Sequence, residues 1–407
     1  MEVLHARCAG LDVHKDTVVA CARLATERSV ERPLETFGTT TRELLRLLAW
    51  LQEHRVTHVA MEATGVYWKP VWHVLIGHVA LLLGNAKEIK NVPGRKSDVK
   101  DAAWIADLLA HGLIRASFVP PEPIQELRDL TRTRKQLVGE RGQHVQRIQK
   151  VLEDANVKLS SVVTDILGVS GRAMLDALLQ GEGDPERLAR LAHGRLRATH
   201  AQLTAALDGT IRDHHRFMLR VHLRQIDALD AAITMVEARV EQLLLPFAAL
   251  VERLRTIPGV SRIVIAVLLA ELGPDMTVFP TAGHAVSWAC LAPRLDQSAG
   301  KRRSTRTRRG QWLKAVLTQA AWAAVRQKNS YLHAQFHRIR ARRGAKKAII
   351  AVAASILTAA YHMIKNETEY QDLGADFFQR RDKKTAAFRL VQRLQHMGYT
   401  VQLSTAA

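Results

Sequence analysis

Cysteine is the scarcest chemically useful residue in this chain. The 407 residues include three cysteines, an odd number with no CxxC pair. A disulfide framework needs paired cysteines and a zinc knuckle needs them closely spaced, so the sequence argues against both. Free thiols at Cys8, Cys21 and Cys290 indicate a reducing environment, and we expect a cytoplasmic protein.

The sequence predicts neither an export signal nor a membrane span. The N-terminal stretch "MEVLHARCAG" has no apolar core of the kind that a secretory signal needs. The apolar run in "KKAIIAVAASILTAAYHMIK", residues 346–365, is short for a span and includes Ser355, Thr358 and His362 among many alanines. We therefore predict a buried helix there and no membrane partner.

Acidic residues are few compared with basic ones. Fifty-nine Lys and Arg face 39 Asp and Glu, which gives a net charge of +20. With a membrane disfavoured, this excess predicts a nucleic-acid partner. Residues 294–347 contain 16 Lys or Arg and a single acid, Asp296. A solvated basic face is the ordinary explanation, but so one-sided a segment favours phosphate binding.

The length allows two or three domains, and the patterns divide the chain. Residues 6–117 alternate in the order strand, strand, strand, helix, strand, helix, strand, helix, which predicts an α/β domain over 1–120. The proline-rich "SFVPPEP" at 117–123 ends this pattern. Beyond it we predict a helical middle region over 121–248, a mainly helical domain over 249–365 and a tail over 366–407.

The middle region contains a heptad pattern. Six apolar residues step 3-4-3-4-3 along the chain, at Ile226, Leu229, Ile233, Val236, Val240 and Leu243. Such a seam predicts a coiled coil, and a second apolar stripe over 127–152 suggests an antiparallel pair, within one chain or between chains. We expect a homodimer or a tetramer. His214 and His215 have no metal-ligand spacing to any cysteine and are expected at the surface.

Four acids stand where an α/β sheet places reactive groups. Asp12 closes the first strand and Glu62 a later one, while Asp98 and Asp101 open the helix in "RKSDVKDAAWIADLL". Alone, the last two are explained by helix capping. Four carboxylates together would repel unless cations neutralised them, and oxygen ligands suit Mg²⁺ or Mn²⁺. Two such ions about 4 Å apart promote phosphoryl displacement, so we favour a two-metal site.

Several sequence blocks resemble those of one enzyme family. "GLDVHKD", "MEATGVYW", "KSDVKDAAWIADLL" and "ASFVPP" are similar to motifs of DEDD-type insertion-sequence transposases, relatives of the Piv-type DNA invertases. "LRTIPGVSRIVIAVLLAELG", "FPTAGHAVSWACLAP", "QSAGKRRS" and "RGQWLKAVLTQAAW" resemble the second domain of that family. The resemblance implies a RuvC-like ribonuclease-H fold for the first domain, with Asp12, Glu62, Asp98 and Asp101 as the catalytic, metal-binding acids.

The resemblance also implies a serine nucleophile and a nucleic-acid surface. The family serine aligns with Ser298 in "LAPRLDQSAG", and because the block reads Ser-Ala-Gly rather than Ser-Gly, Ser304 is a second candidate. By itself, Ser298 reads as the start of a flexible basic loop. The expected phosphate-binding residues are Lys301, Arg302, Arg303, Arg306, Arg308 and Arg309.

The leading prediction is a transposase that cuts and rejoins DNA. The resemblance further implies an element-encoded bridge RNA that pairs with donor and target DNA, although a basic surface suits RNA and DNA alike. One alternative is a RuvC-like endonuclease, which would use water and would not need Ser298. Another is a non-catalytic nucleic-acid-binding scaffold, in which the acids are helix caps.

Overall fold

The computed structural model describes residues 3–26, 29–86, 89, 101–194, 196–293, 297–298, 300–302, 307, 310, 312–381 and 383–402. It divides into two compact units, Met1–Pro120 and Pro121–Ala407. The first is an α/β layer and the second is helical apart from one small hairpin, so the expected α/β plus α class is confirmed.

The first unit is built on one mixed sheet. Its strands are β1 (Arg7–Val13), β2 (Thr17–Ala25), β3 (Val30–Glu31), β4 (Leu34–Gly38), β5 (His58–Glu62) and β6 (Ala80–Gly84). The order is β3-β2-β1-β5-β6, and β4 also pairs with β2. The β1–β2, β2–β3 and β2–β4 pairs are antiparallel, whereas β1–β5 and β5–β6 are parallel. The short strand β3 was not predicted.

Helices cover both faces of this sheet. Helix α1 (Thr41–Glu53) buries Leu44, Leu47, Leu48 and Leu51, and α2 (Trp68–Leu75) adds Val71 and Leu75 to the same core. Helix α3 (Asp101–Ala110) covers the other face. Its alanines allow the helix to lie unusually close to β1, as the active-site geometry below shows.

The second unit contains fourteen α-helices among its described residues. They are α4 (Glu122–Asp154), α5 (Leu159–Val162), α6 (Val169–Leu179), α7 (Pro185–Ala189), α8 (His200–Leu207), α9 (Asp213–Leu244), α10 (Ala248–Arg255), α11 (Arg262–Leu272), α12 (Ala282–Trp288), α13 (Leu313–Ala324), α14 (Tyr331–Arg343), α15 (Ala345–Asn366), α16 (Phe377–Arg381) and α17 (Lys383–His396). A hairpin, β7 (Gln297–Ser298) and β8 (Lys301–Arg302), lies between α12 and α13.

The two longest helices form an antiparallel pair within one chain. Arg134 bonds Glu237 at 2.7 Å, and seven residues further along α4 Arg141 bonds Asp230, seven residues earlier on α9. The short helices α5 to α8 close one end of this pair around a shared apolar cluster. The pairing is intramolecular, and a coiled-coil supertwist remains a prediction.

The far end of the helix pair joins the main C-terminal core. Helix α11 is buried on nearly every side, and α15 packs in the same cluster. Helix α15 is also the one described helix long and apolar enough to cross a membrane, but 56% of its most apolar window is buried inside the protein. It is therefore a core helix here, as the sequence predicted.

One local prediction was wrong. His215 is not a surface residue: it is 2% exposed, and its Nε2 lies 2.8 Å from Asp154 Oδ2. The ring bridges the end of α4 and the start of α9, and Arg212 Nη2 also contacts it at 2.9 Å. Adjacent charged partners on two helices explain why this polar ring is buried.

Candidate active site

The carboxyl ends of β1 and β5 bring two predicted acids side by side. The parallel register pairs Gly10 with Ala60 and Leu11 with Met61, so Asp12 and Glu62 follow as neighbours. Side chains two residues apart on a strand lie on the same face. Gly10 and Ala60 both face α3, and therefore Asp12 and Glu62 project from the face that α3 covers.

Helix α3 runs antiparallel to β1 and begins at the acidic end of the strand. The backbone N–H of Leu4 donates to the carbonyl of Ala110 at 2.8 Å, and the Cys8 Sγ contacts the carbonyl of Ala106 at 3.5 Å. Further along β1, Gly10 lies against Ala102 so closely that a Cβ on Gly10 would overlap the Ala102 carbonyl oxygen. The first residue of α3, Asp101, therefore lies beside the end of β1.

Helical geometry places Asp101 on the side that faces the strand ends. Residues four apart share a helix face, and Asp101 stands four before Ile105. Ile105 is 1% exposed and packs against Ala60 and Gly10. Four helical residues rise about 6 Å, while two strand residues advance about 6.6 Å. The distance along α3 from Ile105 to Asp101 is therefore about the same as the distance along each strand from the residue beside Ile105 to its acid. Asp101 thus lies at the same level as Asp12 and Glu62.

Local hydrogen bonds orient the two strand-end acids. Asp12 Oδ2 lies 3.1 Å from His14 Nε2, with the His14 side chain 61% exposed. Thr64 Oγ1 donates to Glu62 Oε1 at 3.2 Å. Both neighbours follow their acid by two residues at a strand end, so each contact is local to the segment that carries the acid.

The fourth predicted acid, Asp98, lies outside the described residues. Within the part of the chain that the structure describes, no group of three or more His, Cys, Asp or Glu side chains is close enough to hold a metal ion. Asp12, Glu62 and Asp101 thus stand at the same end of the sheet without forming such a group among the described residues, and the four-acid metal site remains a proposal.

A second acid on α3, Asp107, has a structural role. Asp107 accepts a hydrogen bond at 3.0 Å from Nε of Arg23, which is 5% exposed, and its carboxylate bonds Arg32 at 2.8 and 3.1 Å. Among the described atoms, one Nη of Arg23 is buried without a hydrogen-bond partner. Asp107 thus ties α3 to the β2 side of the sheet, away from Asp12.

The predicted serine lies on the hairpin of the second unit. Ser298 on β7 pairs in register with Lys301 on β8, and Gln297 pairs with Arg302. Gly300, at φ +75°, is part of the turn between the strands, a conformation that glycine adopts without strain. An isolated antiparallel bridge also joins Pro293 to Thr307.

Two of the six predicted phosphate-binding residues lie on the second strand of the hairpin. Lys301 is exposed on β8, and the backbone of Arg302 belongs to the same strand. The remaining predicted cations, Arg303, Arg306, Arg308 and Arg309, lie outside the described residues, as does the second serine candidate, Ser304.

The base of the hairpin is held by a cluster that the sequence analysis missed. Lys314 Nζ lies 2.6 Å from Thr307 Oγ1. Trp312 lies under two cations from α4, with the guanidinium of Arg132 at 5.2 Å and the ammonium of Lys135 at 5.0 Å from its ring centre.

A buried carboxylate on α11 fixes one of those cations. Arg132 makes a bidentate pair with Glu271, which is 2% exposed, at 2.8 and 2.9 Å. Burial lowers the pKa of the neighbouring Lys135. These residues stand more than 130 positions apart in the sequence, at no recognisable spacing, so no local signal could have joined them.

Two family models match separate parts of the chain. The chain matches a family model described as Transposase, of the DEDD IS110 type, over residues 9–157, and one described as Transposase IS116/IS110/IS902 family over residues 251–338. No curated protein matches the chain significantly. The first match includes these three acids at the end of the sheet and the second includes the hairpin. The chain therefore belongs to the IS110-type DEDD transposases, enzymes that cut and join DNA.

Proposed function

We propose that this transposase cuts and rejoins DNA with two cooperating parts, an acidic metal site and a serine nucleophile. The metal site would comprise Asp12, Glu62, Asp98 and Asp101, and the nucleophile would be Ser298. The observation that supports the proposal best is the position of Asp12, Glu62 and Asp101, on three separate elements, at the same end of the sheet. The sheet itself, in which β1 to β4 form antiparallel pairs and β5 and β6 then run parallel to β1, supports the RuvC-like assignment.

The donor set suits a hard divalent cation. DEDD transposases usually use divalent metal ions, and carboxylate oxygens are the ligands that Mg²⁺ and Mn²⁺ prefer. Two such cations bound by these acids would stabilise charge on the phosphate oxygens during strand transfer. The close packing of α3 on β1 at Gly10 fixes where Asp101 lies relative to Asp12, because α3 cannot shift along the strand without a clash at Gly10.

The serine would form the covalent link to DNA. In the proposed step the Ser298 Oγ forms a bond to phosphorus, the bond from phosphorus to the DNA oxygen breaks, and that oxygen takes up a proton while the serine hydroxyl loses one. Attack by a hydroxyl of another strand reverses the exchange and joins the DNA. Lys301, paired with Ser298 across the hairpin, would hold the substrate phosphate.

A trapped adduct tests the serine. A nicked substrate that stalls rejoining should leave a DNA–protein species that survives denaturant, with the nucleotide on Ser298 by mass spectrometry. Ser298→Ala should abolish the adduct, while the matched control Ser304→Ala should retain it. An adduct on Ser304 would make Ser304 the nucleophile in place of Ser298. Strand rejoining by Ser298→Ala would instead favour a RuvC-like site in which water is the nucleophile.

We also propose a guide RNA and self-association. The net charge of +20 supports binding of more than one nucleic-acid strand.

The central seam residues Leu229, Ile233 and Val236 are only half-buried although α4 already packs on α9, which supports an additional helix from a second copy. RNA sequencing after purification from cells with the intact element tests the first proposal, and light scattering of the purified protein tests the second. RNA-free, monomeric and active protein would contradict both.

A further inference from the structure

A dense group of cations surrounds the turn between α14 and α15. Six of the ten residues from 338 to 347 are Arg or Lys, and none is acidic. All six side chains are exposed, and we call them the elbow patch: Arg338, Arg340, Arg342, Arg343, Lys346 and Lys347. They lie beyond the basic residues assigned above to the hairpin.

The elbow patch differs from several other arginines of this unit, which pair with acids. Arg134, Arg172 and Arg262 each bond an acid on another helix. In contrast, five of the six elbow cations make no ion pair with any residue that the structure describes, and the sixth, Arg338, lies over the ring of Phe378 at 4.7 Å. No described carboxylate therefore pairs with these five cations to offset the repulsion among them.

Helix dipoles explain only half of the patch. Arg340, Arg342 and Arg343 occupy the last turn of α14, where the negative end of the helix dipole favours cations. Lys346 and Lys347 occupy the first turn of α15, where the dipole disfavours them. That turn contains no acid, and its N-cap residue, Gly344, has no side chain to cap it. Folding alone gives no reason for two lysines there.

We infer that the elbow patch binds the phosphate backbone of duplex DNA, as a contact surface in addition to the β7–β8 hairpin. A lipid surface is disfavoured because the patch has no exposed large apolar residue: Ile339 is half-buried and Ile349 is buried. Arg338 and Arg342 share one helix face about 6 Å apart along the axis, which suits successive backbone phosphates. The inference rests on the proposed function only in that DNA is the substrate.

A charge-neutralised variant tests this surface without any catalysis. The variant combines Arg343→Gln, Lys346→Gln and Lys347→Gln. Its binding to a duplex of non-specific sequence is measured in EDTA between 50 and 200 mM salt, so that neither the metal site nor Ser298 affects the result. Failure of the recombinase chemistry would leave this binding result unchanged, and the two proposals can therefore fail separately.

The control variant removes the same charge elsewhere in the unit. Lys150→Gln, Arg190→Gln and Arg224→Gln alter cations that are exposed and that make no ion pair with a described residue. Thermal unfolding of both variants identifies any general loss of structure. If the triple elbow variant unfolds, the double variant Lys346→Gln, Lys347→Gln takes its place, with an expected slope change of about 1.8.

The expected result is a change in salt dependence for the elbow variant alone. Three lost phosphate contacts should lower the log–log slope by about 2.7, so that a fourfold rise in salt weakens the wild type about 40-fold more than the variant. The control should keep the wild-type slope. Equal slopes for elbow variant, control and wild type would overturn the inference. The inference would also be overturned if the elbow variant lost affinity for RNA while the salt dependence of its DNA binding stayed that of the wild type.

Discussion

The close approach of α3 to β1 gives the sharpest prediction, for Gly10→Ala. A Cβ at this position would lie under 3.0 Å from the carbonyl oxygen of Ala102 and the amide nitrogen of Ala106, and 2.9 Å from the Cβ of Ile105. Two of these atoms belong to helix backbone, which cannot rotate away as a side-chain end can. Relief to ordinary contact requires α3 to withdraw from β1 by about 1 Å.

The expected cost follows from that displacement. Overpacking of a core by one methyl group lowers the free energy of unfolding by about 1–3 kcal/mol. Because Asp101 begins the displaced helix, its carboxylate moves relative to Asp12 and Glu62 by a similar distance. A misplacement of about 1 Å in a catalytic group lowers the rate about 100-fold. We therefore expect Gly10→Ala to fold with reduced stability and to cleave DNA about 100-fold more slowly.

Gly139→Ala is the matched control. Gly139 lies inside α4, and nothing is within 4 Å of a Cβ built there. The same substitution should raise the free energy of unfolding by about 0.5–1 kcal/mol and leave cleavage unchanged. Urea unfolding measures stability, and single-turnover cleavage at a temperature where both variants are folded measures rate. Wild-type cleavage by Gly10→Ala would refute the view that the seating of α3 on β1 sets the active-site geometry.

Three further predictions concern separate groups. Asp107→Asn should lower the free energy of unfolding by about 1–3 kcal/mol, because it removes the negative charge that pairs with the buried Arg23. Asp101→Asn should leave the free energy of unfolding in urea unchanged and abolish cleavage. The opposite pattern would exchange the roles of the two acids. The hydrogen bond from Arg172 lowers the pKa of Asp227 below its ordinary 3.8, so the pair stabilises the fold above that pH and the effect is lost as pH falls through the lowered value. In Asp227→Asn the loss of unfolding free energy between neutral and acid pH should therefore be smaller than in the wild type, by less than about 1 kcal/mol because the pair is partly exposed. An unchanged pH profile would show that the pair is not formed. Burial raises the pKa of the Cys8 thiol to about 11, so iodoacetamide at pH 8 should modify the partly exposed Cys290 and spare Cys8 until the protein unfolds; early labelling of Cys8 would contradict its burial.

Sequence patterns located the elements around the acids because their signals are local. The strands predicted over RCAGLDV and LETFG coincide with β1 and β4, and Asp12 and Glu62 stand at the ends of strands that are nearly continuous buried runs. The register that makes those two acids neighbours is a long-range property. It depends on pairing between residues about 50 positions apart, which the sequence alone leaves undetermined.

Long-range pairing also explains what the sequence analysis missed. Asp107 gives no sign in the local sequence of α3 that it pairs with Arg23 on β2. His215 reads as a surface residue until its partner Asp154, at the end of another helix, is known. Trp312 gives no local sign that cations from α4 lie over its ring. In each case the deciding partner comes from a distant element.

The central claim is that β1, β5 and the start of α3 share one metal site, and localised radical cleavage tests it most directly. Fe²⁺ replaces Mg²⁺ in the folded protein, ascorbate and peroxide generate hydroxyl radicals at the bound ion, and mass spectrometry maps the backbone cuts. We predict cuts near Asp12, near Glu62 and near Asp101, suppressed by excess Mg²⁺ and lost in Asp12→Asn. Cuts at only one of these segments, or cuts that Asp12→Asn leaves unchanged, would contradict a shared site.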